Sequence, residues 1–217
     1  METKTERLNR LFKEWEENVS GYKGKFIKDG IINEPFYISA PQKILFIAKE
    51  PNDPDQESWD FREWWNKEVK YPFSYHIAEW SYGLLNNFPP YDTIRATENA
   101  ALNAVKQIAF MNIKKIGGRG NSSCEEMMEH LRQNHKYVLE EIGIINPEII
   151  ITGLSWEDLR TELFGNLEWQ DSGYEIAIAR FNNAKVLDFY HPSSRNAPAA
   201  AYSLLQNVVR SENFKRL

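Results

Sequence analysis

The sequence predicts an α/β fold, a three-layer α/β/α sandwich around a central, mostly parallel sheet. Runs at 43–48, 108–113 and 148–152 are almost continuously apolar, the pattern of strands buried on both faces. Stretches with helical apolar spacing alternate with them, and that alternation builds parallel sheets. A further apolar run, Val186-Leu187-Asp188-Phe189-Tyr190, leads into His191-Pro192-Ser193. A strand that stops there delivers an imidazole to the carboxyl edge of the sheet, where open α/β sheets bind ligands. Pro192 fixes its own φ and biases His191 toward an extended conformation, so the ring is aimed.

The 217 residues suit one domain spanning 1–217, with no repeat, linker or low-complexity segment. Hydrophobic residues make up 42% and aromatics 13% of the chain, which excludes disorder. The net charge of -5 does not mark a bulk nucleic-acid binder, so such contact would need a local basic patch. A single cysteine, Cys124, excludes an internal disulfide and speaks against cysteine-ligated zinc or iron–sulfur. The chain begins in a charged amphipathic segment without an apolar signal region, and no run reaches transmembrane length. The expectation is a cytoplasmic protein with no membrane partner and no cofactor.

In order, Leu8, Leu11, Phe12, Trp15 and Val19 recur at helical spacing, predicting an amphipathic helix over 5–19. A polar, glycine-containing extension follows to residue 40, and Pro41 marks the entry to the first core strand. That strand ends in Lys49-Glu50-Pro51-Asn52-Asp53, a charged turn at the ligand edge. An aromatic insertion over 52–72 carries Trp59, Phe61, Trp64 and Trp65, with a short helix around the tryptophans. It reads as a satellite packing cluster or as a lid over a pocket. Asp53, Asp55 and Glu57 lack the glycine and terminal glutamate of a calcium loop.

A helix is expected from about Ser74 to Leu85, a break at Pro89-Pro90, and another helix over 97–106. The second strand contains Asn112 as its only polar side chain, an amide that must find partners in the structure or in a ligand. Lys114-Lys115-Ile116-Gly117-Gly118-Arg119-Gly120 is the best local basic patch and is expected to be exposed; it lacks the Lys-Ser/Thr of a phosphate loop. Ser123 with Glu126 forms a capping box for a helix to about Ile142. Asn146-Pro147 opens the third strand, and Ser155 caps a helix stopped at Gly165. Residues 175–180 alternate and Asn182-Asn183 signals a hairpin, so this strand should sit at the sheet edge. Pro198 begins the last helix, over 199–209.

Glu50, Asn112 and His191 thus lie at the carboxyl ends of apolar strands. The segments Ile44-Leu45-Phe46-Ile47-Ala48-Lys49-Glu50-Pro51, Ala109-Phe110-Met111-Asn112-Ile113-Lys114-Lys115, Asn146-Pro147-Glu148-Ile149-Ile150-Ile151-Thr152-Gly153 and Tyr190-His191-Pro192-Ser193, in this order, resemble the uracil-DNA glycosylase superfamily. The resemblance spans residues 43–209. It implies a monomeric base-excision repair enzyme that hydrolyses the N-glycosidic bond of uracil or another deaminated base in single- or double-stranded DNA. Such a base must leave the duplex to react.

The resemblance also implies the site. Glu50 would steady the sugar cation or orient water, and His191 would donate to the base oxygen on which charge develops. Asn112 would read the base edge and Phe73 would stack on the base, with Ala48 and Pro51 completing the base pocket. Ser193 and Ser194 would hold backbone phosphate, Arg195 or Asn196 would fill the gap left by the flipped base, and Lys115 and Arg119 would add DNA contacts. Ala48 stands where many members have glycine, and Asn52 where they have glycine or tyrosine. Two other readings stay open: a glycosylase-like module that binds a nucleotide, modified base or protein without cleaving, and an unrelated small-molecule α/β enzyme.

Overall fold

The apolar runs become the central strands. The structure, a computed structural model, describes residues 2–55, 57–118 and 122–217. Four strands, β2 (Ile44–Ala48), β3 (Ala109–Asn112), β4 (Ile149–Thr152) and β7 (Ala184–Asp188), lie side by side and parallel. With β1 (Gly30–Ile31), β5 (Gln170–Asp171) and β6 (Ala177–Phe181) they form one mixed sheet in the order β1-β3-β2-β4-β7-β6-β5. The flanking pairs are antiparallel. The edge expected for the 175–180 segment belongs to β5, which pairs outside β6.

The pleat splits β2 between two cores: Ile44, Phe46 and Ala48 join one, Leu45 and Ile47 the other. Each of the Ile, Leu and Phe side chains among them, fully buried, stabilises the fold by about 1.5–3 kcal/mol. The connection from β2 to β3 runs through α3 (Phe61–Trp65), α4 (Pro72–Leu85), α5 (Asp92–Ala96) and α6 (Ala100–Lys106). It supplies Trp65, Ile77, Trp80 and Val105 to the Phe46 face. Helix α7 (Cys124–Ile145), between β3 and β4, and α8 (Glu157–Phe164), after β4, supply Leu131, Val138, Leu159 and Leu163 to the opposite face. The chain therefore winds one way from β2 and the other way from β4. The crevice between those two strands is the topological switch point, where such sheets hold ligands.

Outer helices close the layers. Helix α1 (Lys4–Asn18) opens with a capping box of Thr3 and Glu6 and buries Leu8, Leu11, Phe12 and Trp15. Trp15 stacks on Tyr137 of α7 at 5.2 Å and donates from Nε1 to Asn134 Oδ1 at 2.7 Å. On the other face α9 (Pro198–Arg210) buries Tyr202, Leu205 and Val208, and α10 (Glu212–Arg216) follows it.

Three local readings are corrected. The extension before Ala40 is not featureless: it holds β1, paired to β3, and α2 (Glu34–Ser39). Ser155 does not cap α8; it takes a left-handed φ of 69° and leaves the cap to Trp156. Ser123 accepts from Glu126 N–H at 3.1 Å, but the Glu126 carboxylate turns away to Lys114, so the box at α7 is half made. Among the described residues no helix is long and apolar enough to cross a membrane.

Candidate functional site

The strand ends are in register. Ala48 pairs with Asn112, Ile47 with Thr152 and Thr152 with Asp188, so the residues that follow emerge along one edge. There a cavity of about 930 Å³ opens, lined by Lys49, Glu50, Pro51 and Asn52 from the turn after β2, by Ser122, and by His191 and Ser193. Its remaining wall is aromatic: Trp59, Phe61, Trp64, Tyr71 and Phe73.

Glu50 is held by three neighbours. Beyond the strands, β2–β3 pairing continues: Ile113 N–H donates to Ala48 O at 3.0 Å, Lys114 N–H to Lys49 O at 2.9 Å and Gly118 N–H to Pro51 O at 2.9 Å. This paired turn brings Lys114 Nζ within 2.8 Å of Glu50 Oε2, while Ser122 Oγ donates to Oε1 at 2.5 Å. Gly118 packs so closely that a Cβ there would lie 2.1 Å from Oε2. Only 6% of the Glu50 side chain is exposed, so the carboxylate is fixed at the cavity wall.

His191 is aimed by what surrounds its proline. Its Cα would lie 3.1 Å from a Cβ on Gly153, as would Pro192 Cδ, so glycine at the end of β4 lets this segment cross the crevice. His76 of α4, stacked on Trp80, donates from Nδ1 to Pro192 O at 2.6 Å, since a carbonyl can only accept. Ser193 N–H donates to His191 Nδ1 at 3.1 Å. A ring that accepts at Nδ1 carries its proton on Nε2. Burial, helped by the Lys49 charge, lowers the imidazole pKa to about 4. At neutral pH His191 is therefore an uncharged donor at the cavity.

Phe73 sits in the first turn of α4, its ring centroid 6.3 Å from that of His191 and 5.5 Å from Phe110. Asn112 lies two residues after Phe110 and so faces the same side of the sheet. It is 1% exposed, and its Nδ2 has no hydrogen-bond partner. A buried amide left unpaired costs about 1–3 kcal/mol. Neither Asn112 nor Ala48 lines the open cavity; both sit at the strand ends behind it, and Ala48 O is taken by Ile113 N–H. The Ser193–Asn196 turn is tied by Ser194 N–H to His191 O at 2.8 Å and by Asn196 Nδ2 to Ser194 Oγ at 3.0 Å. Arg195 and Asn196 do not line the cavity, and Arg195 is exposed.

The two lysines of the expected basic patch are buried, not exposed. Lys115 is fully buried, its Nζ 2.5 Å from Asp29 Oδ1 and 2.7 Å from Glu141 Oε2, beneath the rings of Phe12 and Trp15. It cannot contact DNA; it neutralises carboxylates in the core, because the N-terminal extension and α7 close over it. Lys114 is also buried, between Glu50 and Glu126. Arg119 lies outside the described residues.

In the insertion, Trp65 is fully buried core, whereas Trp59 and Trp64 line the cavity. Asp53 is occupied by Trp59 Nε1 at 3.0 Å, and among the described residues no cluster of His, Cys, Asp or Glu could hold a metal ion. Lys49, Ser122, Gly118 and His76 were not legible as site residues. Ser122 and Gly118 lie more than sixty positions from Glu50, and only folding joins them. No protein-family model matches the chain, and no curated protein matches it.

Proposed function

We propose that the protein is an N-glycosidic hydrolase of the uracil-DNA glycosylase type, acting on uracil or another deaminated base in DNA. One observation carries this reading: the Glu50 carboxylate and the neutral, Nε2-protonated His191 share one aromatic-walled cavity at the switch point of the sheet. Breaking an N-glycosidic bond builds positive charge on the sugar and negative charge on the departing base. Groups already fixed where those charges appear act on the transition state without reorganising. Glu50, held by Lys114 and Ser122, would face the sugar or orient the attacking water. His191 would donate to the base oxygen, and Phe73 beside it offers a face for the extruded base. Asn112, buried behind the cavity with its Nδ2 unpaired, would meet the base edge only if the base reached past the cavity wall to the strand ends.

Excision from uracil, hypoxanthine and xanthine oligonucleotides, single- and double-stranded, tests the reading. At least one should be cleaved. Glu50→Ala and His191→Ala should each lower single-turnover excision by about 10²-fold or more while binding stays nearly constant. No release of any base from the panel would refute the enzyme.

A second reading has its own observation. Both Glu50 oxygens are already engaged and Gly118 covers one of them, as suits a module that binds a base or nucleotide without cleaving it. There Phe73→Ala would weaken affinity, and the Glu50 change would remove no activity.

A further inference from the structure

The cavity is larger than the proposed chemistry needs. At about 930 Å³ it lies at the upper end of small-molecule pockets, roughly 300–1,000 Å³, and is several times the size of a nucleobase. Phe73 and His191 account for one part of it. The turn after β2, Ser122 and Ser193 line a second part, and Trp59, Phe61, Trp64 and Tyr71 face the remainder.

That wall is fixed. Lys28 N–H donates to Trp59 O at 2.9 Å and Phe61 N–H to Lys28 O at 2.9 Å, pinning the insertion to the N-terminal extension. Asp60 caps α3 by accepting from Arg62 N–H at 2.8 Å. Trp64 donates from Nε1 to Glu68 Oε1 at 3.2 Å, and Trp59 donates to Asp53. With the indole N–H groups engaged at their edges, what the tryptophans offer the cavity is ring surface. Tyr71, 55% exposed, lies 5.6 Å from Trp64 in a tilted pair.

Charge points the same way. Of the described residues lining the cavity, Lys49 alone carries a cationic side chain, and Lys114 and Lys115 are consumed by buried carboxylates. Among the described residues the lining offers five aromatic rings and one cation, with Lys70 Nζ a further 6.0 Å from the Tyr71 ring, so ring faces for bases outnumber charges for phosphates. Duplex DNA hides those base faces; a single strand presents them.

We propose that Trp64 and Tyr71 form a second base-stacking subsite beside the excision site, so that the substrate is single-stranded DNA held through at least two consecutive bases. This rests on the glycosylase reading for the identity of the first base.

The test uses the full chain carrying Glu50→Gln to suppress turnover, and fluorescence anisotropy with labelled five-nucleotide strands. Each strand has a central deoxyuridine, with its neighbours either thymidines or, on one side, an abasic tetrahydrofuran. Removing the neighbouring base on the stacked side should weaken binding about 5- to 150-fold, the range of one base–aromatic stack. Trp64→Leu should reduce that dependence to less than about twofold. Tyr71→Leu, at an exposed position and so safe for folding, should reduce it several-fold. Annealing a complementary strand should lower affinity in the parent protein.

Equal affinity for strands with and without the neighbour, or a dependence unchanged in both variants, overturns the subsite. Excision by the unmodified protein separates the two ideas. If uracil is released from every strand without neighbour dependence, the glycosylase stands and the subsite falls. If no base is released yet the Trp64-dependent preference persists, the subsite stands and the enzyme falls.

Discussion

Replacing Lys115 with methionine removes the cation from between Asp29 and Glu141. All three side chains are fully buried, and Asp29 also accepts from Asn112 N–H at 2.8 Å. Burial pushes Glu141 well above the usual carboxylate range, and Lys115 is the cation that both buried carboxyl groups share. Breaking a buried pair by removing one partner costs about 3–5 kcal/mol, because the remaining charge has no solvent. The aromatic rings at 5.5 Å and 5.4 Å from Nζ add a smaller loss. Against a typical total of about 5–15 kcal/mol this is a large fraction. Urea unfolding followed by tryptophan fluorescence should show a midpoint lower by about 1–2.5 M for a slope near 2–3 kcal/mol per M. Combining Lys115→Met with Asp29→Asn and Glu141→Gln should recover much of the loss, since no buried charge is then stranded. A Lys115→Met protein as stable as its parent but weaker on DNA would refute the burial argument and restore the surface role.

Glu141→Gln alone should become progressively more stabilising as pH rises above about 4.5. A carboxyl whose folded pKa is raised contributes stability below its unfolded value and loses it as pH climbs toward the folded one; unfolding midpoints at pH 5 and pH 8 that move in parallel would count against this. His191 should titrate near 4 by imidazole ¹⁵N shifts, with Nε2–H as the neutral tautomer, and a midpoint above 6 would break the buried-donor assignment. A depressed histidine weakens folding as pH falls from about 6.5 toward 4, because the unfolded chain binds the proton first. Gly118→Ala must displace the Glu50 carboxylate, since its Cβ would sit 2.1 Å from Oε2. Single-turnover excision should drop at least tenfold, and a fully active variant would mean that Glu50 is not held in its working position.

What could be learned from the sequence alone was whatever period and local sterics dictate. Almost continuously apolar runs at 44–48, 109–112 and 149–152 need two buried faces, so the parallel core was legible before any contact was known. His191 before Pro192 and Glu50 before Pro51 were marked as strand-end groups by their neighbours, and the α1 stripe by its spacing. Partnership was not legible. Lys114 and Lys115 look alike in a glycine-rich run, yet their burial depends on Glu50, Glu126, Asp29 and Glu141, contributed by a turn, a helix and an extension distant in the chain. The same holds for the tryptophans: Trp64 and Trp65 are adjacent, and the rotation of about 100° per helical residue sends one to the cavity and the other into the core. A local pattern determines which groups a segment offers; only the closing of distant segments upon it decides whether a charge meets water, a ligand or another charge.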